Sequence, residues 1–419
     1  MTEQFVIIGA GLAGAKAAET LRSEGFAGRV ALIGAEKHRP YERPPLSKKH
    51  LHGTATTDDV FVHAAQWYEQ HDVDLRTASR ADEIDPTART VRLVGGERLR
   101  YDKLLLALGS SPITLRVPGA GLDGVRYLRT LDDSRQIAAA IAPGRRVVII
   151  GGGWIGLEVA AAARQVGAEV SVVETATLPL LRVLGPELAQ LFADIHRANG
   201  VTFHLACSVQ RIDGNERVTG VQLDDGTTLP ADLVVVGIGI RPNTDLAARA
   251  GIAVDNGVVT DSGLLTSDPH VYACGDVANS FNPLLGRHIR VEHWANALNG
   301  GPAAAQAMLG QDVVYDRVPY FYSDQYDSAP GISMEYAGYL EPGGYDQVVF
   351  RGHRTITGGA NPEFVAFWTQ DGRVLAGMNA NAWNVQDDIQ ALVRAGHAGI
   401  AVDTRKLADP SVPMAALVG

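Results

Sequence analysis

The stretch Phe5-Val-Ile-Ile-Gly9-Ala-Gly11-Leu-Ala13-Gly14 decides how this chain folds. Its apolar residues predict a buried parallel strand, and a helical run from Ala15 follows directly. The glycines between them allow a tight turn and let the backbone approach a pyrophosphate closely. The helix N-terminus offers free N–H groups and the positive end of a dipole. The stretch therefore predicts a dinucleotide-binding fingerprint.

A second stretch, Val147-Val-Ile-Ile-Gly151-Gly-Gly153-Trp-Ile155-Gly156, repeats this pattern and leads into a second helical run. A single glycine-rich turn is weak evidence for a nucleotide site. Two turns, each between a strand and a helix, favour two bound dinucleotides over two merely structural turns.

A glutamate follows each fingerprint at roughly the twenty-residue spacing expected for a ribose ligand. Glu36 and Glu174 both stand at the predicted end of a second strand, where a carboxylate can accept hydrogen bonds from ribose hydroxyls. The alternative is a solvated glutamate at a strand end. Thr175, Ala176 and Thr177 follow Glu174, so no cation stands directly after it in the sequence. The Glu174 charge is therefore predicted to repel the 2′-phosphate of NADPH, and the second site to prefer NADH.

The internal repeat extends beyond the fingerprints. Residues 90–112 parallel residues 220–242, since each stretch has a hairpin, an aspartate and an apolar strand, and then ends in Gly-x-x-Pro at Gly109 or Gly239. The first copy holds about a dozen extra residues between its fingerprint and its hairpin. The charged loop 38–50 is the candidate for this insertion. Two similar nucleotide domains that differ in one loop suggest one permanent ligand and one that exchanges.

Composition limits the function classes. The 419 residues are enough for roughly three domains. No uninterrupted apolar run is long enough for a membrane span. The net charge of −10 argues against a nucleic-acid partner, and no metal site is predicted. Because a strand begins within five residues and only Cys207 and Cys274 are present, we expect no signal peptide and a cytoplasmic location.

The repeats also predict the domain organisation. Residues 1–111 and 244–318 form a discontinuous first nucleotide domain, and residues 112–243 form the second. Residues 319–419 form a small third domain of α+β type, with strands expected within 333–378 and a helix over 385–394.

Several stretches give the chain a close resemblance to one family. Pro40-Tyr-Glu-Arg-Pro-Pro-Leu-Ser-Lys48, Gly151-Gly-Gly-Trp-Ile-Gly-Leu-Glu158 and residues 127–133, 239–243, 272–278 and 290–297 resemble the FAD-dependent NADH:ferredoxin reductases of the putidaredoxin reductase type. That family serves cytochrome P450 and ring-hydroxylating dioxygenase systems. The resemblance implies an α/β fold of glutathione-reductase-like architecture, with Rossmann-like FAD and NAD domains and a C-terminal interface domain. It also implies an acidic [2Fe-2S] ferredoxin as partner, with no nucleic acid and no membrane.

The resemblance implies which residues hold the cofactors. For FAD they are Gly9, Gly11, Ala13, Gly14, Glu36, Arg43, Lys48, Ala81, Gly109, Arg129, Asp276 and Trp294. For NADH they are Gly151, Gly153, Ile155, Gly156, Glu174 and Gly239. Lys48 and Glu158 are implied as the catalytic pair, with Lys48 near flavin N5 and Glu158 beside it where the nicotinamide stacks.

Simpler interpretations stay open for several of these residues. Lys48 could be an ordinary solvated charge, and Glu158 could serve only the dipole of the helix whose first turn it is expected to occupy. Asp276 could be a helix N-cap, and Trp294 could be core packing.

Three other functions share this scaffold. A disulfide or peroxide reductase needs a redox-active cysteine near the flavin, but no cysteine precedes Cys207. A rubredoxin reductase is hardly distinguishable by sequence. A redox protein like apoptosis-inducing factor would need a targeting segment or a basic surface. For the ferredoxin, the candidate basic clusters are Arg287, His288 and Arg290, and Arg351, His353 and Arg354.

Overall fold

The computed structural model describes residues 2–417. The strands are β1 Gln4–Ile8, β2 Arg29–Ile33, β3 Val73–Arg76, β4 Ala81–Asp85, β5 Thr90–Leu93, β6 Arg98–Arg100, β7 Lys103–Leu106, β8 Ser110–Pro112, β9 Val125–Tyr127, β10 Arg146–Ile150, β11 Glu169–Glu174, β12 Val201–Leu205, β13 Val209–Gly214, β14 Val218–Leu223, β15 Thr228–Pro230, β16 Leu233–Val236, β17 Ile240–Pro242, β18 Val258–Thr260, β19 Val271–Ala273, β20 Ala278–Asn282, β21 Arg287–Arg290, β22 Tyr320–Gln325, β23 Ile332–Gly338, β24 Gln347–His353, β25 Glu363–Gln370 and β26 Arg373–Ala380. The α-helices are α1 Leu12–Ser23, α2 Trp67–Gln70, α3 Leu131–Ala140, α4 Trp154–Gln165, α5 Leu181–Leu184, α6 Pro186–Ala198, α7 Asp245–Arg249, α8 Trp294–Met308, α9 Gln386–His397 and α10 Thr404–Ala408. Short 3-10 segments lie at Pro44–Ser47, Asp58–Val60, Gly275–Val277, Thr357–Gly359 and Met414–Leu417.

The chain forms two compact units. The first comprises the residues up to Glu42, Thr57–Ser111 and Arg241–Tyr320. The second comprises Arg43–Thr56, Pro112–Ile240 and the residues from Phe321 onward. The division into three domains stays a prediction, since the second nucleotide segment and the C-terminal segment belong here to one unit.

The first unit is built on a parallel sheet of order β19-β7-β1-β2-β3. Successive side chains of β1 enter different cores: Phe5 and Ile7 pack in one apolar cluster, Val6 and Ile8 in another. Because neighbouring residues of a strand face opposite sides of the sheet, an uninterrupted apolar run fills both faces. This is why the first quoted stretch predicts a buried parallel strand correctly.

The second unit repeats this arrangement with a parallel sheet of order β12-β11-β10-β16-β9. Val147 and Ile149 of β10 pack on one face, and Val148 and Ile150 on the other. The predicted α/β class with two Rossmann-like sheets is confirmed.

The hairpins of the repeat are also present, as β5-β6 before β7 and as β14-β15 before β16. One strand end differs from expectation. Glu174 is the last residue of β11, whereas β2 ends at Ile33 and leaves Glu36 in the following loop. Beyond β2, the Gly34 and Glu36 carbonyls accept hydrogen bonds from the N–H groups of Ser79 and Ala78, which follow β3.

The C-terminal part of the second unit is a sheet of order β22-β23-β26-β25-β24, with α9 against β26. The predicted strands and the helix over 385–394 all appear. Trp368 is fully buried in the cluster that includes Leu188 and Phe192 of α6, and its indole N–H donates to the Leu184 carbonyl at 3.2 Å. Among residues 2–417, no helix is both long and apolar enough to cross a membrane.

Candidate functional site

The first fingerprint contains glycines with two different roles. Gly9 has φ +116°, and a Cβ there would lie 2.0 Å from the Ala107 carbonyl oxygen. A Cβ on Gly14 would lie 2.0 Å from the Gly9 carbonyl oxygen. Within the described chain no atom beyond its immediate neighbours lies within 4 Å of a Cβ on Gly11. The outer glycines therefore serve packing, while Gly11 faces open space.

The second fingerprint has the same geometry. A Cβ on Gly151, which has φ +108°, would lie 2.3 Å from the Gly237 carbonyl oxygen. A Cβ on Gly156 would lie 2.1 Å from the Gly151 carbonyl oxygen, and the position at Gly153 is again open within the described residues. Each fingerprint thus has one glycine, Gly11 or Gly153, that the packing of its own unit does not require.

Both open glycines are helix N-caps. Gly11 precedes α1 and Gly153 precedes α4, and among the described side chains none caps either helix. The first N–H groups of an uncapped helix need acceptors, and a pyrophosphate supplies them at the positive end of the dipole. An uncapped helix start with an open glycine, present in both units, is the arrangement that a dinucleotide-binding turn requires.

The Glu174 carboxylate is fixed against the second fingerprint. Oε2 accepts the backbone N–H of Gly152 at 2.7 Å, and Oε1 accepts the N–H of Ala176 at 2.8 Å. A Cβ on Gly152 would lie 3.2 Å from Oε2, so this glycine lets the carboxylate approach. Sequence reasoning missed Gly152, although the three consecutive glycines were a signal. The carboxylate stands where a ribose bound at this helix end would need an acceptor.

Glu36 accepts a hydrogen bond from the hydroxyl of Tyr41, in the charged loop that the first copy adds. Glu36 is half-buried although it lies outside β2. The loop therefore orients the acidic residue that the strand itself does not hold.

Gly109 and Asp276 each follow a residue that lies near the first fingerprint. A Cβ on Gly275 would lie 3.4 Å from Ala13 Cβ, which places Asp276 beside the first turn of α1. Gly109 follows β7, whose neighbour Ala107 touches Gly9, and its carbonyl accepts the Asn243 N–H at 3.0 Å. Asp276 is not a helix N-cap, because the 3-10 segment Gly275–Val277 has Cys274 in that position.

Trp294 and Ala81 begin elements of the first unit. Trp294 is the first residue of α8, and its side chain interacts with the Glu42 carboxyl. Burial raises the pKa of the Glu42 carboxyl, and the interaction with Trp294 partly offsets the rise. Ala81 is the first residue of β4 and is half-buried. Glu42 was not predicted, and its place in the Pro40-Tyr-Glu-Arg motif was the only signal.

In the second unit, the structure brings Arg43 and Arg129 together. Arg43 Nη1 donates to the carbonyl oxygen of Arg129. Arg129 precedes α3, which begins with a capping box: Thr130 Oγ1 accepts the N–H of Asp133, and the Asp133 carboxylate accepts the Thr130 N–H. The helix start thus fixes the backbone on which the Arg43 guanidinium rests.

Lys48 and Glu158 form a largely buried ion pair. Lys48 Nζ lies 2.8 Å from Glu158 Oε2, and the two side chains are 11% and 4% exposed. Lys48 ends the 3-10 segment Pro44–Ser47, and its Nζ lies 5.4 Å from the ring centre of Tyr322. The solvated-charge interpretation of Lys48 is therefore wrong.

Glu158 is also not a first-turn residue. Helix α4 begins at Trp154, which puts Glu158 in the second turn, where the dipole at the helix end acts weakly. Its carboxylate instead accepts hydrogen bonds from the hydroxyls of Ser47, at Oε2, and Ser323, at Oε1, the latter at 2.7 Å. Both serines are buried, and sequence reasoning assigned neither of them.

The remaining NAD residues flank the second fingerprint. Ile155, the second residue of α4, is 45% exposed, which is unusual for a large apolar side chain beside a buried helix. Gly239 has φ +108°, and a Cβ there would lie 3.4 Å from Ile113 Cδ1. An exposed apolar residue beside an uncapped helix end suits contact with a ligand.

The two basic clusters contain structural as well as exposed cations. Arg290 pairs with Glu292, and its side chain is only 13% exposed. Arg351 donates to the carbonyls of Asp409 and Val412 and so anchors the C-terminal segment. Arg287 and Arg354 are exposed. Among residues 2–417 no group of three or more His, Cys, Asp or Glu side chains is arranged to hold a metal ion.

Comparison with known proteins identifies the family of this chain. Residues 3–301 match the family model for pyridine nucleotide-disulphide oxidoreductases, and residues 320–418 match the reductase C-terminal model. The chain is 40% identical over 415 residues to the ferredoxin–NAD(+) reductase component of the anthranilate 1,2-dioxygenase system of Burkholderia cepacia, covering 98% of each. It is 37% identical over 380 residues to putidaredoxin reductase of Pseudomonas putida, covering 89% of this chain and 87% of that protein.

Two solved structures are also similar to this chain over almost its whole length. The ferredoxin reductase for the CYP199A2 system of Rhodopseudomonas palustris matches with a TM-score of 0.92 at 36% identity over all of both chains. The reductase in the covalent putidaredoxin reductase–putidaredoxin complex matches with a TM-score of 0.91 at 35% identity, over 99% of this chain and 98% of that one. The chain therefore belongs to the pyridine nucleotide-disulphide oxidoreductases and, within that family, to the ferredoxin reductases of the putidaredoxin reductase type.

Proposed function

We propose that this protein is an NADH:ferredoxin reductase that takes a hydride from NADH and passes the electrons singly to a [2Fe-2S] ferredoxin of a P450 or dioxygenase system. The observation that carries the proposal is the pair of fingerprints, each with an open glycine over an uncapped helix start. When bound, FAD supplies the redox chemistry, since a flavin accepts two electrons together and releases them one at a time.

The two fingerprints take different dinucleotides in this proposal. The first, with the loop whose Tyr41 orients Glu36, holds FAD permanently. The second holds NADH, which must enter and leave in each turnover. Glu174 accepts hydrogen bonds from the ribose hydroxyls and disfavours a 2′-phosphate by charge repulsion and by the loss of those bonds.

Lys48 and Glu158 prepare the site for hydride transfer. The Lys48 ammonium favours added negative charge nearby, which makes electron acceptance easier. Glu158 balances that cation and, with the Ser47 hydroxyl, restricts its position. Neither side chain has to move a proton for the hydride to pass. Their task is to bind and orient.

A thiol–disulfide mechanism is not supported by the cysteines. Cys274 is buried, and burial raises the pKa of its thiol to about 12, so it is a poor source of thiolate at neutral pH. Burial and the nearby Asp225 and Asp224 carboxylates also raise the pKa of the Cys207 thiol. Both thiols are free, which suits the reducing cytoplasm that we propose as the compartment.

The experiment that tests the function has two stages. The purified protein should contain one FAD, and anaerobic NADH should bleach it. With oxidised [2Fe-2S] ferredoxin added, NADH oxidation should continue until the ferredoxin is reduced. Rubredoxin in place of ferredoxin tests the related reductase activity. A folded protein that binds no flavin, or a bleached flavin that reduces neither carrier, contradicts the proposal.

A further inference from the structure

A chain of buried polar side chains leads away from Glu158 through the second unit. Gln325 Nε2 lies 3.1 Å from Ser323 Oγ, and Gln325 Oε1 lies 2.8 Å from His196 Nε2. The opposite ring nitrogen, Nδ1 of His196, lies 2.8 Å from the hydroxyl of Tyr326. We call these four residues, Ser323, Gln325, His196 and Tyr326, the polar chain.

The Glu158 carboxylate, which pairs with Lys48, fixes the direction of every hydrogen bond in the polar chain. A carboxylate only accepts, so the Ser323 hydroxyl donates to it and must itself accept the Gln325 amide N–H. The Gln325 carbonyl then faces His196, which must donate from Nε2. Nδ1 is left as an acceptor for the Tyr326 hydroxyl.

Every donor in the polar chain therefore points toward Glu158. Hydrogen bonds arranged head to tail polarise one another, and their aligned dipoles favour negative charge at the end that accepts. One protonation state satisfies all of them, namely neutral His196 with its proton on Nε2. Burial agrees with that state, because it lowers the pKa of His196 to about 4.

The polar chain is not explained by stability. Ser323 and Gln325 are each 1% exposed, and His196 is fully buried, beside a large apolar cluster. Ordering polar groups in such a core rarely stabilises more than well-packed apolar residues would. Tyr326 also adopts φ +66°, a costly conformation for a tyrosine, at the end of β22. A role in orienting Glu158 would explain why the chain retains an arrangement that lowers its stability.

Proton conduction is also disfavoured as the purpose. The middle member, Gln325, is an amide, which does not readily pass a proton from one partner to the next. The charged groups at the two ends are Lys48, paired with Glu158, and Arg164, which acts electrostatically on Tyr326. Burial raises the pKa of Tyr326 and outweighs the opposite effect of Arg164, so its hydroxyl keeps its proton.

We propose that Ser323, Gln325, His196 and Tyr326 are positioning residues that hold the Glu158 carboxylate in one orientation beside Lys48. The proposal rests on the proposed function in one respect, since it takes Glu158 to act in flavin reduction by NADH. It assigns a task to one residue of α6, two of β22 and the residue that follows β22, none of which is in either fingerprint.

The first test reads the tautomer of His196 and does not depend on turnover. In holoprotein labelled with ¹⁵N-histidine, with His196→Asn used to assign the signal, the resonances should show a neutral ring protonated at Nε2 from pH 8 to about pH 5. Tyr326→Phe should shift the Nδ1 resonance, because that nitrogen loses its donor. A ring protonated at Nδ1, or charged at neutral pH, overturns the proposal.

The second test follows the pH dependence of flavin reduction by NADH in stopped flow. The rate should fall at acidic pH. Ser323→Ala should move this fall to higher pH, since the negative charge beside Lys48 loses a hydrogen-bond donor. Tyr326→Phe, at the far end, should move it less. Ser323→Thr keeps the hydroxyl and should show the wild-type pH profile. It provides the comparison with wild type if Ser323→Ala folds poorly.

Tyr336→Phe is the matched control, because Tyr336 is a buried tyrosine of the same apolar cluster and lies outside the polar chain. It should leave the profile unchanged. Equal profiles for wild type, Ser323→Ala and Tyr326→Phe overturn the proposal while leaving the proposed function intact. If NADH does not reduce the wild-type flavin at all, the proposed function fails, and the His196 tautomer alone then decides whether the polar chain is oriented as argued.

Discussion

Lys48 Nζ lies 2.8 Å from Glu158 Oε2, in surroundings that leave both side chains almost inaccessible to water. Removing one partner of such a pair leaves a buried charge unbalanced, which usually costs more than the intact pair contributes. The two residues are therefore expected to be coupled in stability as well as in catalysis.

This coupling gives the first prediction. Lys48→Met should slow flavin reduction by NADH at least about tenfold and destabilise the fold by about 3 kcal/mol. Lys48→Met combined with Glu158→Leu should be more stable than Lys48→Met alone, because the unbalanced carboxylate is gone. Stopped flow and denaturant unfolding measure the two effects. Additive losses of stability in the double variant would show that the residues do not form a pair.

Coenzyme choice gives the second prediction. Glu174 is held by the Gly152 N–H, so its charge cannot easily move away from an incoming 2′-phosphate. Steady-state kcat/KM should favour NADH over NADPH by at least about tenfold. Glu174→Gln should narrow this ratio, mainly through the KM for NADPH. Equal efficiency of the wild type with both coenzymes would refute the role of Glu174.

The open glycines give the third prediction. Gly153 has φ −80°, which any residue adopts, and room for a methyl group. Gly153→Ala should therefore keep the wild-type Tm and raise the KM for NADH. Gly156→Ala should instead destabilise the protein, because its Cβ meets the Gly151 carbonyl. If Gly153→Ala lowered the Tm as much as Gly156→Ala, the separation of ligand and packing roles would be wrong.

The fourth prediction concerns the ferredoxin. Arg287→Glu should raise the KM for ferredoxin several-fold and flatten its dependence on ionic strength, without affecting turnover with ferricyanide, since charges at an interface rim act mainly on association. Arg351→Glu is the contrasting variant. It should lower turnover with both ferredoxin and ferricyanide, because Arg351 donates hydrogen bonds to the Asp409 and Val412 carbonyls and so supports the fold. Loss of both activities in Arg287→Glu would remove that residue from the docking surface.

The fifth prediction concerns pH and stability. The pKa of His196 is about 4 in the folded protein and 6.5 without the fold, so the unfolded chain binds more protons between these values. Stability is therefore lost as the pH falls from neutrality toward 4, by about 2 kcal/mol from this residue between pH 7 and pH 5. Urea unfolding should show a smaller fall for His196→Asn over that range. An unchanged pH dependence would mean that His196 is not buried in its neutral form.

The fold was predictable because its signals are local and repeated. Four apolar residues before a glycine turn occur twice, and each run fills two cores. Glu36 shows the limit of that reasoning. Its spacing from the fingerprint suggested a strand end, whereas β2 ends at Ile33 and the Glu36 carbonyl accepts the N–H of Ala78, in the segment after β3.

The site was predictable only in part. The fingerprint glycines can be found from spacing, and Lys48 and Glu158 from family resemblance. Ser47, Ser323 and His196 gave no comparable signal, because a serine or histidine in an apolar stretch has many possible partners. Their roles appear only when α4, α6 and β22 are packed together.

Strand β22 has strictly alternating surroundings: Phe321, Ser323 and Gln325 are buried, whereas Tyr322 and Asp324 are not. Deleting one residue within β22 ahead of Ser323 would exchange these two rows, because each residue of a strand faces opposite to the next. Asp324 would then take the place of a hydroxyl beside Glu158 and set two carboxylates against each other. A change in the number of residues is consequently tolerable in the connection before β22 but not within the strand. A relative that keeps the polar chain must therefore keep the spacing from Tyr322 to Gln325.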